Sequence, residues 1–99
     1  MIRAKSDKLF QEATRYLVGG VNSPVRSFKG VGGHPLIMKS GEKAALTDVD
    51  GNVYTDYCLS WGALILGHAH RNMTLGAKKT VERGASFGAT TRYEIDIAK

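Results

Sequence analysis

The stretch AALTDVDGNVYTDYC, Ala44 to Cys58, decides how this 99-residue chain folds. Two β-prone runs, Ala44 to Val49 and Val53 to Cys58, flank Asp50-Gly51-Asn52. Asp and Gly tolerate the positive φ that tight hairpins need, so the runs are predicted to pair antiparallel. Alternation puts Val53, Thr55 and Tyr57 on one face of the second run, with Tyr54 and Asp56 on the other. Upstream, Leu36 to Lys39 is a short apolar run that adds a third strand. Residues 36–58 therefore predict a three-stranded antiparallel meander.

Further toward the N-terminus the period changes. Leu9, Phe10, Ala13 and Leu17 share one face of a helix over 6–18, with Ser6 as its N-cap. Gly19 is a good left-handed residue to end it. Residues 19–35 carry five glycines and both prolines and predict a long loop. Loops of that length inside compact domains are usually functional or disordered. Val21, Val25, Phe28 and Val31 are apolar anchors, which favours an ordered loop packed on a larger body.

Toward the C-terminus, residues 59–99 read as loop and helices. Met73, Ala77 and Val81 outline a helix ending at Gly84, although Gly76 inside it costs about 1 kcal/mol relative to alanine. Thr91-Arg92-Tyr93-Glu94 has the form of a capping box and opens another helix. The fold class of the segment is α+β. Three short strands and two complete helices make a thin core, as expected of an N-terminal piece of a larger protein.

Hydrophobic residues are 42% and charged residues 23% of the chain, within the globular range, which excludes global disorder. The net charge of +5 would suit an anionic partner, but the basic residues are scattered and Lys78-Lys79 is their only adjacent pair. That argues against nucleic acid. A lone Cys58 permits neither an intrachain disulfide nor a zinc cluster, and reads as a small buried residue at a strand end. No apolar run reaches the roughly 20 residues of a membrane span. The N-terminus, with Asp7 and Glu12, has the form of neither a secretory signal nor a transit peptide.

Several motifs fail on their own chemistry. Asp48 to Asn52 looks like the start of a calcium loop, but the twelfth position holds Leu59 where an acid is required. His68-Ala69-His70 offers two imidazoles without a third ligand nearby, so no metal site is expected and the rings are read as hydrogen-bonding loop residues. Gly30 to Gly33 lacks the dinucleotide spacing, and no Walker-type lysine is present.

Gly19-Gly20-Val21-Asn22-Ser23-Pro24-Val25-Arg26 has more to offer. Pro24 fixes its own φ and pushes Ser23 toward an extended conformation. Arg26 brings a planar fork of donors that matches a carboxylate, and Ser23 can add a hydroxyl. On the residues alone, a glycine pair ending a helix before a solvated arginine is the favoured reading. Trp61, between Ser60 and Gly62, can present its face and N–H to a ligand, although on the residues alone a core anchor beside the meander is the favoured reading.

The blocks GGVNSPVRSFKGVGG (Gly19 to Gly33), DVDGNVYTDY (Asp48 to Tyr57), SWGALILGHAH (Ser60 to His70) and SFGATT (Ser86 to Thr91) resemble, in that order, the N-terminal region of the glutamate-1-semialdehyde aminomutase family. The resemblance covers nearly all of the chain. DVDGN and GHAH are similar to class-III aminotransferases in general, whereas GGVNSPVR with SWG is narrower. It implies an α/β protein of the aspartate-aminotransferase-like fold (fold type I), a pyridoxal 5'-phosphate cofactor, and conversion of glutamate-1-semialdehyde to 5-aminolevulinate for tetrapyrrole synthesis. It further implies that Ser23 and Arg26 hold the substrate carboxylate, that Trp61 walls the pocket, and that Asn22 shapes the loop.

In the family the Schiff-base lysine and the main cofactor site lie beyond the position of Lys99, so these residues alone are expected to be inactive and to form no stable, site-specific cofactor adduct. A homodimer is implied, in the cytoplasm or, for a plant or alga, the plastid stroma, with a small-molecule substrate and neither nucleic acid nor membrane as partner. Arg71 and Thr90 stand where the family usually has proline. The rival readings are another class-III aminotransferase segment and a non-catalytic basic binding module, the latter expected to bind with strong salt dependence.

Overall fold

The computed structural model describes residues 1–99. The chain divides into two compact units, Met1–Ala69 and His70–Lys99.

The first unit holds helix α1 (Ala4–Ala13) and the strands β1 (Met38–Glu42), β2 (Ala45–Asp48) and β3 (Val53–Thr55). The strands form one antiparallel sheet in the order β1-β2-β3. The meander is therefore present, with its first strand two to three residues later than Leu36 to Lys39 suggested. Pro35 is buried, and the ladder begins at Met38 opposite Asp48, with a bulge before Ser40. The β2–β3 connection runs over residues 49–52. Gly51 N–H donates to Asp48 O (3.1 Å) and Asp48 N–H to Asn52 O (3.0 Å). Only Gly51 takes a positive φ, of 90°, as a type I turn closed by a left-handed residue requires.

Asp50 does something else. Its carboxylate accepts the N–H groups of Lys5 (2.8 Å) and Ser6 (2.9 Å) and the Ser6 hydroxyl (2.7 Å). These are two of the free donors of the first turn of α1. The helix thus starts at Ala4, and Ser6 lies inside it, fully buried, where an N-cap was expected. Its cap comes from the hairpin turn, far along the chain. The regular helix also ends earlier than 18, at Ala13, and continues as successive turns to a short 3-10 turn at Val18–Gly20. Phe10 stacks on His34 with ring centroids 4.7 Å apart.

Asp48 is the other fully buried polar residue. It accepts the N–H groups of Asp50 (3.0 Å) and Asn52 (2.8 Å), the Asn52 side-chain amide (2.8 Å) and the Tyr54 hydroxyl (2.8 Å). Both carboxylates of the supposed calcium loop are thus engaged by protein donors. Burial alone would raise the Asp48 pKa, but these four hydrogen bonds outweigh it and hold the group below the usual carboxylate range.

The alternation of β3 is as expected. Val53 and Tyr57 point outward, Tyr57 being 94% exposed, while Tyr54 and Asp56 turn inward to polar partners. Cys58 departs from expectation. The ladder stops at Thr55, and Cys58 lies on the bend beyond it, exposed, where a buried strand end was expected. No apolar side chain of the chain is fully buried.

The second unit contains α2 (Arg71–Val81) and α3 (Arg92–Ala98). The α2 helix runs out through turns to Gly84, at φ 96°. The Thr91–Glu94 capping box is formed, with the Thr91 N–H donating to Glu94 Oε1 at 3.0 Å. No helix is long and apolar enough to cross a membrane.

Candidate functional site

The glycine-rich segment after α1 reverses the chain. Gly19 and Gly20 take φ of 67° and 73°, and a Cβ on Gly20 would come 2.6 Å from the Phe10 ring. Only glycine allows both the turn and that contact. Ser23 follows in an extended conformation, as the residue before proline should, and Pro24 opens a 3-10 turn over Pro24–Arg26. The Arg26 N–H donates to Ser23 O at 3.0 Å, closing the turn.

Ser23 and Arg26 are therefore held on one turn. The Arg26 guanidinium is exposed and donates through Nη1 to Asn22 Oδ1 at 2.9 Å. No acidic side chain pairs with Arg26: the ion pairs of the chain are Arg3–Asp7, His34–Asp7, His68–Asp56 and Arg92–Asp96. Beside the turn the segment folds around an open cleft of about 1060 Å³, lined by Tyr16, Val21, Ser23, Val25, Phe28 and Lys29 among others. Of the four apolar anchors, Val21 and Phe28 are half-buried, whereas Val25 and Val31 are 76% and 80% exposed. Their faces have no partner within the chain.

Trp61 stands on a separate turn, and no hydrogen bond links it to Ser23 or Arg26. Leu59, Ser60 and Trp61 have φ of 43°, 56° and 56°, followed by Gly62 at 91°. Left-handed backbone costs on the order of 1–2 kcal/mol for each residue with a Cβ. Three in succession need external support, and strain of this kind concentrates at functional sites. The turn leaves the indole 69% exposed. Nothing in Leu-Ser-Trp signals this geometry, because none of the three residue types favours it.

Asp56 bonds the entry of the turn, which also closes through its own backbone, Trp61 N–H to Cys58 O (2.9 Å) and Gly62 N–H to Leu59 O (3.2 Å). Its Oδ1 accepts the N–H groups of Cys58 (2.9 Å) and Leu59 (3.0 Å), and its Oδ2 lies 2.6 Å from His68 Nε2. The His68 contact, with those two backbone donors, holds the Asp56 carboxyl below its usual range. His68 is itself fixed by a double backbone bridge to Lys43, at 2.9 and 2.7 Å. Its ring lies over Gly41, where a Cβ would come 2.7 Å from Cγ. The GHAH motif is thus structural at His68, as read, whereas His70 departs from the reading, its Nδ1 being buried without a hydrogen-bond partner. Asp56 as the other half of this pair could not be read from the sequence, since no local spacing connects the two residues.

Every lysine of the chain is exposed, so no lysine here sits in an enclosed site where an aldehyde cofactor could be anchored.

No family model matches the chain. It is 56% identical over 95 residues, 96% of its length, to the glutamate-1-semialdehyde 2,1-aminomutase of Sulfurihydrogenibium azorense, of which it covers 22%. Among solved structures, a transaminase with pyridoxal phosphate bound superposes with TM-score 0.84 at 35% identity, covering 97% of this chain and 22% of that one. A glutamate-1-semialdehyde aminomutase from Pseudomonas aeruginosa gives TM-score 0.83 at 23% identity over 95% of this chain and 20% of that one, a likeness of fold. The chain spans about a fifth of the length of the relatives it matches. Over that stretch it belongs to the glutamate-1-semialdehyde 2,1-aminomutase family.

Proposed function

We propose that the chain is the substrate-gripping part of an aminomutase that converts glutamate-1-semialdehyde to 5-aminolevulinate, feeding tetrapyrrole synthesis. The observation that carries this reading is the Pro24–Arg26 turn. It ties Ser23 and Arg26 together through the bond from Arg26 N–H to Ser23 O, and no acid of the chain pairs with the guanidinium. A fork without an internal carboxylate is suited to an external one. Moving an amino group between adjacent carbons requires a doubly aminated intermediate to stay bound, and a grip on the distal carboxylate retains and orients it. Trp61 would wall the pocket on its exposed turn.

Pyridoxal phosphate, when bound to such an enzyme, supplies the carbanion stabilisation. The exposed lysines of this stretch do not fit its anchor, so the lysine and the phosphate site are assigned to the remainder of a longer protein. We infer the cytoplasm as its compartment and a homodimer as its assembly. A class-III transaminase is the second reading, favoured by the 35% identity to a transaminase structure.

The test is steady-state kinetics of the full-length enzyme with the semialdehyde. A charged hydrogen bond of this kind is worth about 1.5–3 kcal/mol, so Arg26→Ala should lose about ten- to a hundredfold in kcat/KM. Arg26→Lys should recover only part, because an ammonium lacks the fork. Resting cofactor absorbance should persist. Unchanged kcat/KM, or loss of cofactor from a folded protein, would remove Arg26 as the clamp.

A further inference from the structure

We propose that Asp56, locked by His68, is the positioning residue for Trp61, fixing the left-handed turn that presents the indole. Three observations converge on it. The turn Leu59–Trp61 is built from residues that do not choose positive φ, and its own closing bonds, at 2.9 to 3.3 Å, leave the Cys58 and Leu59 N–H groups to an outside acceptor. The only side chain that bonds its entry is Asp56, which takes the Cys58 and Leu59 N–H groups on one oxygen. The other oxygen is 2.6 Å from His68 Nε2, so the carboxylate has little rotational freedom.

The support then reaches the sheet. The backbone of His68 is pinned to Lys43, and its ring occupies space left by Gly41 in β1. A glycine inside a strand marks such a close approach. Gly41 packs against the His68 ring, the ring meets Asp56, and Asp56 bonds the entry of the turn, a continuous set of contacts from the meander toward Trp61. The role as positioning residue does not depend on what Trp61 touches. Its kinetic consequence rests on the proposed reading of Trp61 as a pocket wall.

The experiment uses the full-length protein labelled with 5-fluorotryptophan, in which the Trp61 ¹⁹F resonance is assigned by its loss in Trp61→Phe. Asp56→Ala should shift that resonance and raise KM for the semialdehyde about tenfold, as misplacement of a pocket wall does, with cofactor absorbance retained. Asp56→Asn keeps an oxygen for the two N–H groups and should return both readouts close to those of the unaltered protein. His68→Leu removes only the second bond and should move the resonance in the same direction as Asp56→Ala. It also serves as the deciding variant if Asp56→Ala does not fold. A Trp61 resonance unmoved in folded Asp56→Ala or His68→Leu overturns the positioning role. A resonance that moves while KM stays constant upholds that role and overturns the pocket-wall reading of Trp61.

Discussion

The hairpin from Asp48 to Asp56 and the loop from Gly19 to Gly33 are both built from turns, yet they dispose of their polar groups in opposite ways. In the hairpin each of the three carboxylates is engaged by donors of the chain itself. Asp48 closes the turn, Asp50 caps α1, and Asp56 bonds the next turn and His68. In the loop the turns close through backbone bonds between near neighbours, and the strongest donor, Arg26, meets only the neutral Asn22. The hairpin is thus satisfied from within, whereas the loop keeps donor capacity for a molecule from outside. Damage to the first should register as instability, and damage to the second as lost activity.

The largest expected effect is at Asp48. Asp48→Ala leaves several donors around a buried position without an acceptor, and amide exchange across β2 and β3 should accelerate on the order of a hundredfold. Arg26→Ala should leave the same amides unchanged. Acid should reproduce the effect. The carboxyls of Asp48, Asp50 and Asp56 are all lowered in the folded chain. Their contribution is fully present above the usual carboxylate range and is lost as pH falls through the lowered folded values. A pH titration of hydrogen exchange should show the hairpin and the start of α1 opening together.

Gly20→Ala should come next, because it forces a Cβ into the Phe10 ring at an unfavourable φ. Overpacking of this sort costs about 1–3 kcal/mol, measurable by denaturant unfolding. It lies in the loop but acts on its junction with α1, so it marks where the two behaviours meet. The smallest effect is expected in the second unit. Thr91→Ala breaks an exposed capping box and should destabilise α3 by about 1 kcal/mol, visible as increased fraying of Arg92–Ala98 by exchange. The hairpin amides should not respond.

What the sequence allowed was set by the range of each interaction. The antiparallel pairing across Asp50-Gly51 and the Thr91–Glu94 box involve neighbours within a few residues, and both were legible. The start of α1 was not, because Ser6 has the chemistry of a cap while the actual acceptor, Asp50, lies far along the chain. Cys58 is exposed because the β3 ladder stops three residues before the end of the β-prone run. Ser23 and Arg26 fall on one turn because Pro24 opens it, inside a segment whose composition marked only a long loop. The strained turn under Trp61 had no local signal. The one side chain that bonds its entry, Asp56, meets His68 across the chain, a contact that no local pattern announces.

The most direct test of the contrast between the two regions is a double-mutant cycle on Arg26 and the substrate carboxylate in the full-length enzyme. Kinetics are measured for the unaltered protein and Arg26→Ala with the semialdehyde and with an analogue whose carboxylate is replaced by a methyl group. If Arg26 holds that carboxylate, Arg26→Ala loses about ten- to a hundredfold in kcat/KM on the semialdehyde and almost nothing on the analogue. An equal loss on both substrates would contradict the clamp and place Arg26 among the structural groups of the loop.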